Sequence, residues 1–173
     1  FNFNQNINSW NTSKVKNMDH MFDNAENFNQ PLDGWDISNV TSVRFMFRCS
    51  LNFNQNLNNW NTSNITRMNS MFYGALYFNQ PLDKWNTSNV TTMSGMFQCA
   101  EHFNQPLDMW NVENVTHMDN MFSCARLFNQ SLNTWNVNNV ESLENIFFCA
   151  SSFKQIFEWK LKNTARMNNM CYG

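Results

Sequence analysis

The stretch FNQPLDKWNTSNVTTMSGMFQCAEH, residues 78–102, is one copy of a unit that fills almost the whole chain of 173 residues. The phenylalanine that opens this copy recurs every 25 residues without a slip, at Phe3, Phe28, Phe53, Phe78, Phe103, Phe128 and Phe153. A fixed period of about 20 to 50 residues is typical of proteins in which each repeat stacks on its neighbours. The repeated unit, and not the overall length, therefore decides the fold.

The first half of the copy predicts a short β-strand. Its apolar positions are Leu82, Trp85, Thr87 and Val90, which follow the spacing of a leucine-rich repeat with Trp in one leucine position. Trp85 and Thr87 are separated by one polar residue, which is the period of a strand that turns both side chains into the core. We expect such strands from successive copies to pair in parallel.

The second half of the copy predicts a short helix. Met93, Met96, Phe97 and Ala100 are spaced i, i+3, i+4 and i+7, which places them on one helical face. Thr91 stands just before them, where its side-chain oxygen would accept a free N–H of the first turn as an N-cap. The sequence therefore predicts an α/β solenoid, a stack of about seven coils, each made of a short parallel strand and a short helix.

The polar residues between the strand and helix segments predict ladders that run from copy to copy. Asn79 and Gln80 follow the opening Phe, and the same two residue types recur in most other copies. Their side-chain amides both donate and accept, so they can satisfy the backbone of a turn in the next coil. We interpret the column of Asp83 and Asp108 in the same way, rather than as a calcium site, because no glycine-rich calcium loop accompanies it.

The repeat extends to both ends of the sequence. We predict one repeat array over residues 1–173, and we expect it to be a segment of a longer array because it begins and ends inside a copy. The last copy, residues 153–173, diverges, since Trp159 falls one place earlier than the period requires.

Composition and spacing argue against catalysis and against nucleic-acid binding. The net charge is −2 and the sequence pI is about 5.9, whereas a nucleic-acid binder normally carries a basic face. No apolar run is long enough to span a membrane. The three histidines occupy three different columns, and no Ser, Cys or carboxylate is combined with a histidine in a motif that the copies share. We therefore expect no enzyme activity and no cofactor.

Four of the five cysteines share one column of the repeat: Cys49, Cys99, Cys124 and Cys149. The chain has no C-x-x-C pair and no histidine at a matching spacing, so the sequence predicts no metal site. We interpret the column as small buried residues. A disulfide between neighbouring coils stays open as the alternative, provided that the Cα atoms come within about 7 Å.

Two groups of residues are candidates for binding a partner. The candidate binding face lies on the strand side and consists of Asn59, Asn61, Lys84, Asn86, Ser88, Met109 and Asn111. The candidate aromatic patch lies on the helix side, combines aromatic residues with arginine as many interfaces do, and consists of Phe45, Arg48, Tyr73 and Tyr77.

The motif W-N-T-S-N-V-T-x-M-x-x-M-F-x-x-A-x-x-F-N-Q-P-L, seen from Trp85 to Leu107, resembles the BspA-like leucine-rich repeat surface proteins and the related mycoplasma-type surface lipoprotein repeat. The resemblance covers nearly the whole chain. It implies a right-handed leucine-rich-repeat-like solenoid, placement on the cell surface or outside the cell, and a role in adhesion or partner contact. Similar arrays also occur in large DNA viruses and in protists. The family offers no catalytic residues to carry over.

These observations together predict a non-enzymatic interaction or adhesion module of a surface or secreted repeat protein. Its expected partner is another protein or a glycan, and neither nucleic acid nor a membrane span within this segment is expected. The alternative is a structural scaffold in a larger assembly, such as a virus particle, in which the array would contact neighbouring subunits.

Overall fold

The structure is a computed structural model that describes residues 2–156 and 158–171. Within these ranges it contains no helix and no extended strand. Strand-like pairing is confined to single residues, one from each copy, joined in parallel from copy to copy: Asn17, Ser42, Arg67, Thr92, His117, Ser142 and Arg166. The predicted α/β solenoid of strand-plus-helix coils is therefore wrong. Each copy instead forms one irregular layer, and successive layers are joined by hydrogen bonds.

Two tight turns replace the predicted strand. The N–H of Trp85 donates to the carbonyl of Leu82 at 3.2 Å, and the N–H of Val90 donates to that of Thr87 at 2.9 Å. Because the chain turns back on itself twice within nine residues, it cannot extend alongside its neighbour. The hydroxyl of Thr87 donates to the backbone carbonyl of Asn111 in the next layer at 2.9 Å, which satisfies the polar group of a buried threonine in a column shared by threonine, isoleucine and valine.

A run of turns also replaces the predicted helix. Only some N–H groups there bond locally, as Met96 does to the carbonyl of Met93 at 3.1 Å. Alternate N–H groups leave the layer, and that of Gly95 donates to Asp119 of the next layer at 2.8 Å. Gly95 and Cys99 have φ angles of 63° and 57°. A right-handed helix cannot continue through two residues in the left-handed region, so the chain forms turns whose remaining donors bind the next layer.

The predicted N-cap at Thr91 is also wrong, because the residues that follow it form turns and not a helix. The hydroxyl of Thr91 donates to the carbonyl of Thr66 in the preceding layer at 3.1 Å. Thr66 makes the same bond to Thr41 at 3.1 Å, so this threonine column is a ladder between layers.

The core consists of columns of identical or similar side chains stacked through the layers. Phe78 and Phe103 lie in one phenylalanine column with ring centroids 6.0 Å apart, and Phe72 and Phe97 lie in a second column at 5.7 Å. Phe97 also stacks on Phe103 at 4.0 Å, which joins the two columns. All four side chains are fully buried. The predicted core positions are therefore confirmed, although the backbone that carries them is different.

The polar ladder predicted from the Asn and Gln columns is confirmed. The side-chain oxygen of Asn54 accepts the N–H of Asn79 and the amide N–H of Gln80, each at 3.0 Å.

A second ladder, formed by the tryptophans, was not predicted. The indole Nε1–H of Trp85 donates to the buried carbonyl of Leu57 in the preceding layer at 2.9 Å. Each tryptophan from Trp35 onward repeats this bond, at Trp35, Trp60, Trp85, Trp110, Trp135 and Trp159.

The last copy keeps its place in the stack despite the missing residue. The Nε1–H of Trp159 still donates to the carbonyl of Leu132 at 3.0 Å. The sequence separation of this pair is 27 residues, against 28 for the pair formed by Trp135 and Leu107. The deletion is thus absorbed before Trp159. Residues 157, 172 and 173 of this copy lie outside the described ranges.

Candidate interaction surface

The candidate binding face is exposed, but its asparagines are used to hold turns. The side-chain oxygens of Asn61, Asn86 and Asn111 each accept the N–H two residues further on, at 3.2, 3.1 and 2.9 Å. This local bond is typical of an asparagine that stabilises a turn. Lys84 Nζ donates to the side-chain oxygen of Asn59 at 3.3 Å. Ser88 is half-buried, and Met109, which is 71% exposed, is the large apolar side chain of this face.

The candidate aromatic patch coincides with a surface cavity of about 190 Å³. Phe45, Arg48 and Tyr73 line this cavity, which we call the Phe45 cavity. Its other lining residues are Cys49, Ser70 and Gln98. Tyr77 is not among the lining residues; it is 48% exposed, and its ring centroid lies 4.9 Å from that of His102.

Two glycines explain why a cavity opens in an otherwise regular surface. A Cβ on Gly95 would lie 2.9 Å from Ser70 Oγ and 3.3 Å from Gln98 Oε1, between two groups of the cavity wall. A Cβ on Gly74 would lie 3.3 Å from the sulfur of Cys49. Both glycines have positive φ, at 63° and 65°, so the backbone also favours glycine there. A glycine in each of two columns that elsewhere carry larger side chains was the sequence signal for this cavity.

Phe45 is held in an unusual backbone conformation beside the cavity. Its φ is 56°, a region in which a bulky residue is uncommon and costs about 1–2 kcal/mol. The corresponding residues of later layers include Asn120 and Asn145, a type that tolerates this region better. The Phe45 ring stacks on His20 at 4.6 Å, and the guanidinium carbon of Arg48 lies 5.6 Å from its centroid. These contacts on two sides fix the orientation of the ring.

An ion pair anchors the arginine of the cavity. Arg48 Nε donates to Asp23 Oδ1 at 2.7 Å, and His20 Nδ1 lies 2.8 Å from Asp23 Oδ2. Burial alone would raise the pKa of Asp23, but the hydrogen bonds from Arg48 and His20 outweigh it and hold that pKa below its ordinary value. The bond to Asp23 in turn raises the pKa of Arg48. Both groups are therefore charged at neutral pH.

The cysteine column contains half-buried free thiols and no disulfide at Cys49, Cys99, Cys124 or Cys149. Burial raises the pKa of the Cys49 thiol and raises that of Cys99 to about 11. A thiol with a raised pKa is a poor nucleophile at neutral pH, because the thiolate is the reactive form. The Cys49 thiol on the cavity wall is thus a neutral, weakly polar group.

A second cavity of about 450 Å³ lies where the shortened last copy meets the preceding layer, and it is lined by Asn133, Ile156 and Glu158. Ile156 is 85% exposed there.

Among the described residues, no group of three or more His, Cys, Asp or Glu side chains is arranged to hold a metal ion. The same part of the chain has no helix that is long and apolar enough to cross a membrane.

A stack of layers joined by ladders of identical contacts defines a repeat protein. The chain belongs to the family described as Mycoplasma protein of unknown function, DUF285, whose family model matches residues 1–85 and again 75–173. This agrees with the mycoplasma-type part of the resemblance drawn from the sequence, and it does not extend to the BspA-like proteins. No curated protein matches the chain, and no solved structure matches it.

Proposed function

We propose that the chain is a non-enzymatic module that binds a protein partner, and that the Phe45 cavity is the centre of the contact surface. The observation that carries this proposal is the break in the repeat at one surface point. There, a phenylalanine with positive φ, an arginine and a tyrosine surround a cavity that two glycines leave open. Aromatic residues and arginine are enriched among the residues that dominate binding energy at protein interfaces.

The layered backbone supports this proposal because it holds the cavity in place before any partner arrives. The N–H of Gly74 donates to Gln98 of the next layer at 2.7 Å, and the N–H of Cys49 donates to Tyr73 at 2.7 Å. The walls of the cavity are thus joined across three layers by backbone hydrogen bonds. A surface that is ordered in advance loses less conformational entropy on binding.

The proposed placement of the module is the cell surface or the exterior of the cell. It rests on the family, whose description names Mycoplasma, and on the resemblance to surface proteins. Intact source cells would be treated with a membrane-impermeant lysine reagent, and the exposed residues Lys14, Lys84 and Lys160 would be examined by mass spectrometry. Labelling on intact cells is expected. Protection until the cells are opened would contradict surface placement and would favour an internal scaffold.

Binding is tested with variants that borrow residues from the chain's own columns. Phe45→Asn copies Asn120 and Tyr73→Ser copies Ser123, so both should preserve the layer. The control Met109→Thr copies Thr134 on the candidate binding face. Immobilised wild type and variants would be exposed to extracts of source and host cells, and each captured protein would be purified and titrated.

The expected result is a purified partner whose Kd rises at least about tenfold with the Phe45→Asn, Tyr73→Ser pair and stays unchanged with Met109→Thr. A partner that loses affinity only with Met109→Thr would move the site to the candidate binding face. If no purified protein binds any version, the proposal of an interaction module is wrong.

A further inference from the structure

We infer that the Phe45 cavity recognises a carboxylate on a short apolar stem, presented by an acidic side chain of the partner. This inference rests on the proposed function, because it names the chemistry that the same surface would bind.

The first argument is the set of hydrogen-bond donors that meet at the cavity. Ser70 and Tyr73 both line it, and neither hydroxyl bonds to another described residue. Gln98 also lines it and has its side-chain oxygen on the side of Gly95. Elsewhere in the stack, polar side chains such as those of Asn54 and Thr91 are used by the ladders. Unused donors that converge on one cavity suit a ligand that only accepts hydrogen bonds, and an ionised carboxylate is such a ligand.

The second argument is charge. Arg48 carries the formal charge among the residues that line the cavity, and none of those residues is Asp or Glu. Its ion pair with Asp23 uses Nε, and its two terminal nitrogens make no hydrogen bond to a described residue. Arginine binds a carboxylate through paired N–H groups, and such charge-assisted bonds are stronger than neutral ones. Asp23 itself also accepts from His20 and Asn24, so it does not depend on Arg48 alone.

The third argument is size. An apolar cavity of about 150 Å³ is enough to hold a benzene ring. The Phe45 cavity, at about 190 Å³, therefore accommodates a carboxylate together with a short stem. The rings of Phe45 and Tyr73 offer apolar wall to that stem.

The probe is benzoate, compared with benzamide, which has the same ring and shape but no charge. Both would be titrated at pH 7 into the full chain labelled with ¹⁵N, and amide shifts would be followed by NMR. We expect benzoate to shift the amides of residues 45–49, 70–74 and 95–98 with a Kd of about 1 mM, and benzamide to bind at least about tenfold more weakly.

Three variants connect the binding to the cavity. Arg48→Gln should raise the benzoate Kd about tenfold, and Gly95→Asn, which copies Asn120, should abolish binding by filling the cavity. The matched control is Arg126→Gln, whose arginine also pairs with a carboxylate but lies outside the cavity. Each spectrum also reports whether the variant is folded, so Gly95→Asn decides the matter if Arg48→Gln does not fold.

Equal binding of benzoate and benzamide, or no shift with either, would overturn the carboxylate inference. The partner found under the proposed function separates the two claims. If its affinity depends on Phe45 and Tyr73 but not on Arg48, the carboxylate inference fails and the proposed function stands. If benzoate binds as described but no partner depends on the patch, the proposed function fails and the chemistry of the cavity stands.

Discussion

Replacing Trp85 by Phe would remove one bond of the tryptophan ladder from the middle of the stack. The indole Nε1–H donates to the buried carbonyl of Leu57 at 2.9 Å, and the side chain is only 3% exposed. Leu57 keeps one partner, the N–H of Trp60 at 3.0 Å, so the lost hydrogen bond should cost about 1 kcal/mol, the lower part of the usual range. The smaller ring loses buried area and leaves a void, which adds about 1–2 kcal/mol. The expected total loss is about 2–3 kcal/mol in the free energy of unfolding.

The chain provides a matched control in Trp10, which occupies the same column. Trp10 is 53% exposed, and its indole N–H makes no hydrogen bond to a described residue. Trp10→Phe should therefore change the free energy of unfolding by less than about 0.5 kcal/mol. Urea unfolding would be followed by near-UV circular dichroism of the stacked rings, and variants would be compared by midpoint at unchanged slope. If Trp85→Phe and Trp10→Phe agree within about 0.5 kcal/mol, the ladder does not stabilise the stack as argued.

Three further predictions concern single polar groups. Asn79→Ala removes the acceptor of the Asn104 N–H, 3.0 Å away, and should lower the free energy of unfolding by about 1–3 kcal/mol. Hydrogen exchange of the Asn104 amide should become faster in this variant, whereas Asn79→Asp keeps an acceptor oxygen and should retain the protection. Equal exchange in the two variants would contradict the ladder. Burial raises the pKa of Cys99 to about 11. Its alkylation by iodoacetamide, measured by mass spectrometry, should therefore be far slower than that of glutathione at pH 8. The alkylation rate should increase with pH until about pH 11. The stability from this thiol is complete below its unfolded pKa and is lost as the pH rises towards 11; alkylation that levels off near pH 9 would refute the shift. Burial raises the pKa of Asp19, but hydrogen bonds from Ser42 and a neighbouring arginine outweigh it and leave the pKa below its ordinary value of 3.8. Its stabilisation is therefore present above pH 3.8 and is lost as the pH falls through the folded value, and Asp19→Asn should flatten acid unfolding; an unchanged acid limb would count against this ion pair.

The period and the core could be predicted from the sequence because both depend on side-chain type alone. Phe103 belongs to a phenylalanine column with a fixed period, which predicts a core position without reference to the backbone between copies, and the residue is fully buried. The amide ladder of Asn54 and Asn79 could be predicted for a related reason, since a polar residue that repeats beside a turn has its own copies as the nearest partners.

The backbone between the core positions could not be predicted from apolar spacing. The side chains of Met93, Met96 and Phe97 fit one face of a helix, but they also fit a run of turns that brings the same residues inward. What distinguishes the two is the left-handed conformation at Gly95 and Cys99. Gly95, with asparagine in the same column of later copies, indicated a break in the helix, because glycine is unfavourable inside a helix. The column of Cys99 gave the same indication, because asparagine and glycine occupy it in two other copies, at Asn24 and Gly74.

The cavity depends on which residues meet across layers, and this needed the stacking to be known. Phe45 and Arg48 stood out in the sequence, but Ser70 and Gln98 joined them only once the layers were placed. The candidate binding face shows the reverse. Its asparagines were predicted as outward-facing residues available to a partner, but the side-chain oxygen of Asn86 closes a turn of its own copy by accepting the N–H of Ser88.

The ion pairs between the first two complete layers have a consequence for how the chain finds its correct register. Most contacts between layers are identical, so a layer that skipped one neighbour would regain nearly all of its ring stacks and ladders. Asp19 and Asp23 break this degeneracy, because they meet Arg44 and Arg48 at 2.8 and 2.7 Å only in the correct order. After a slip of one layer they would face residues 69 and 73, an asparagine and a tyrosine. The uniform columns thus supply cohesion, while a few irregular charged residues carry the information that orders the layers, and charge-neutralising changes there should lower the yield of correctly refolded monomer more than they lower its stability.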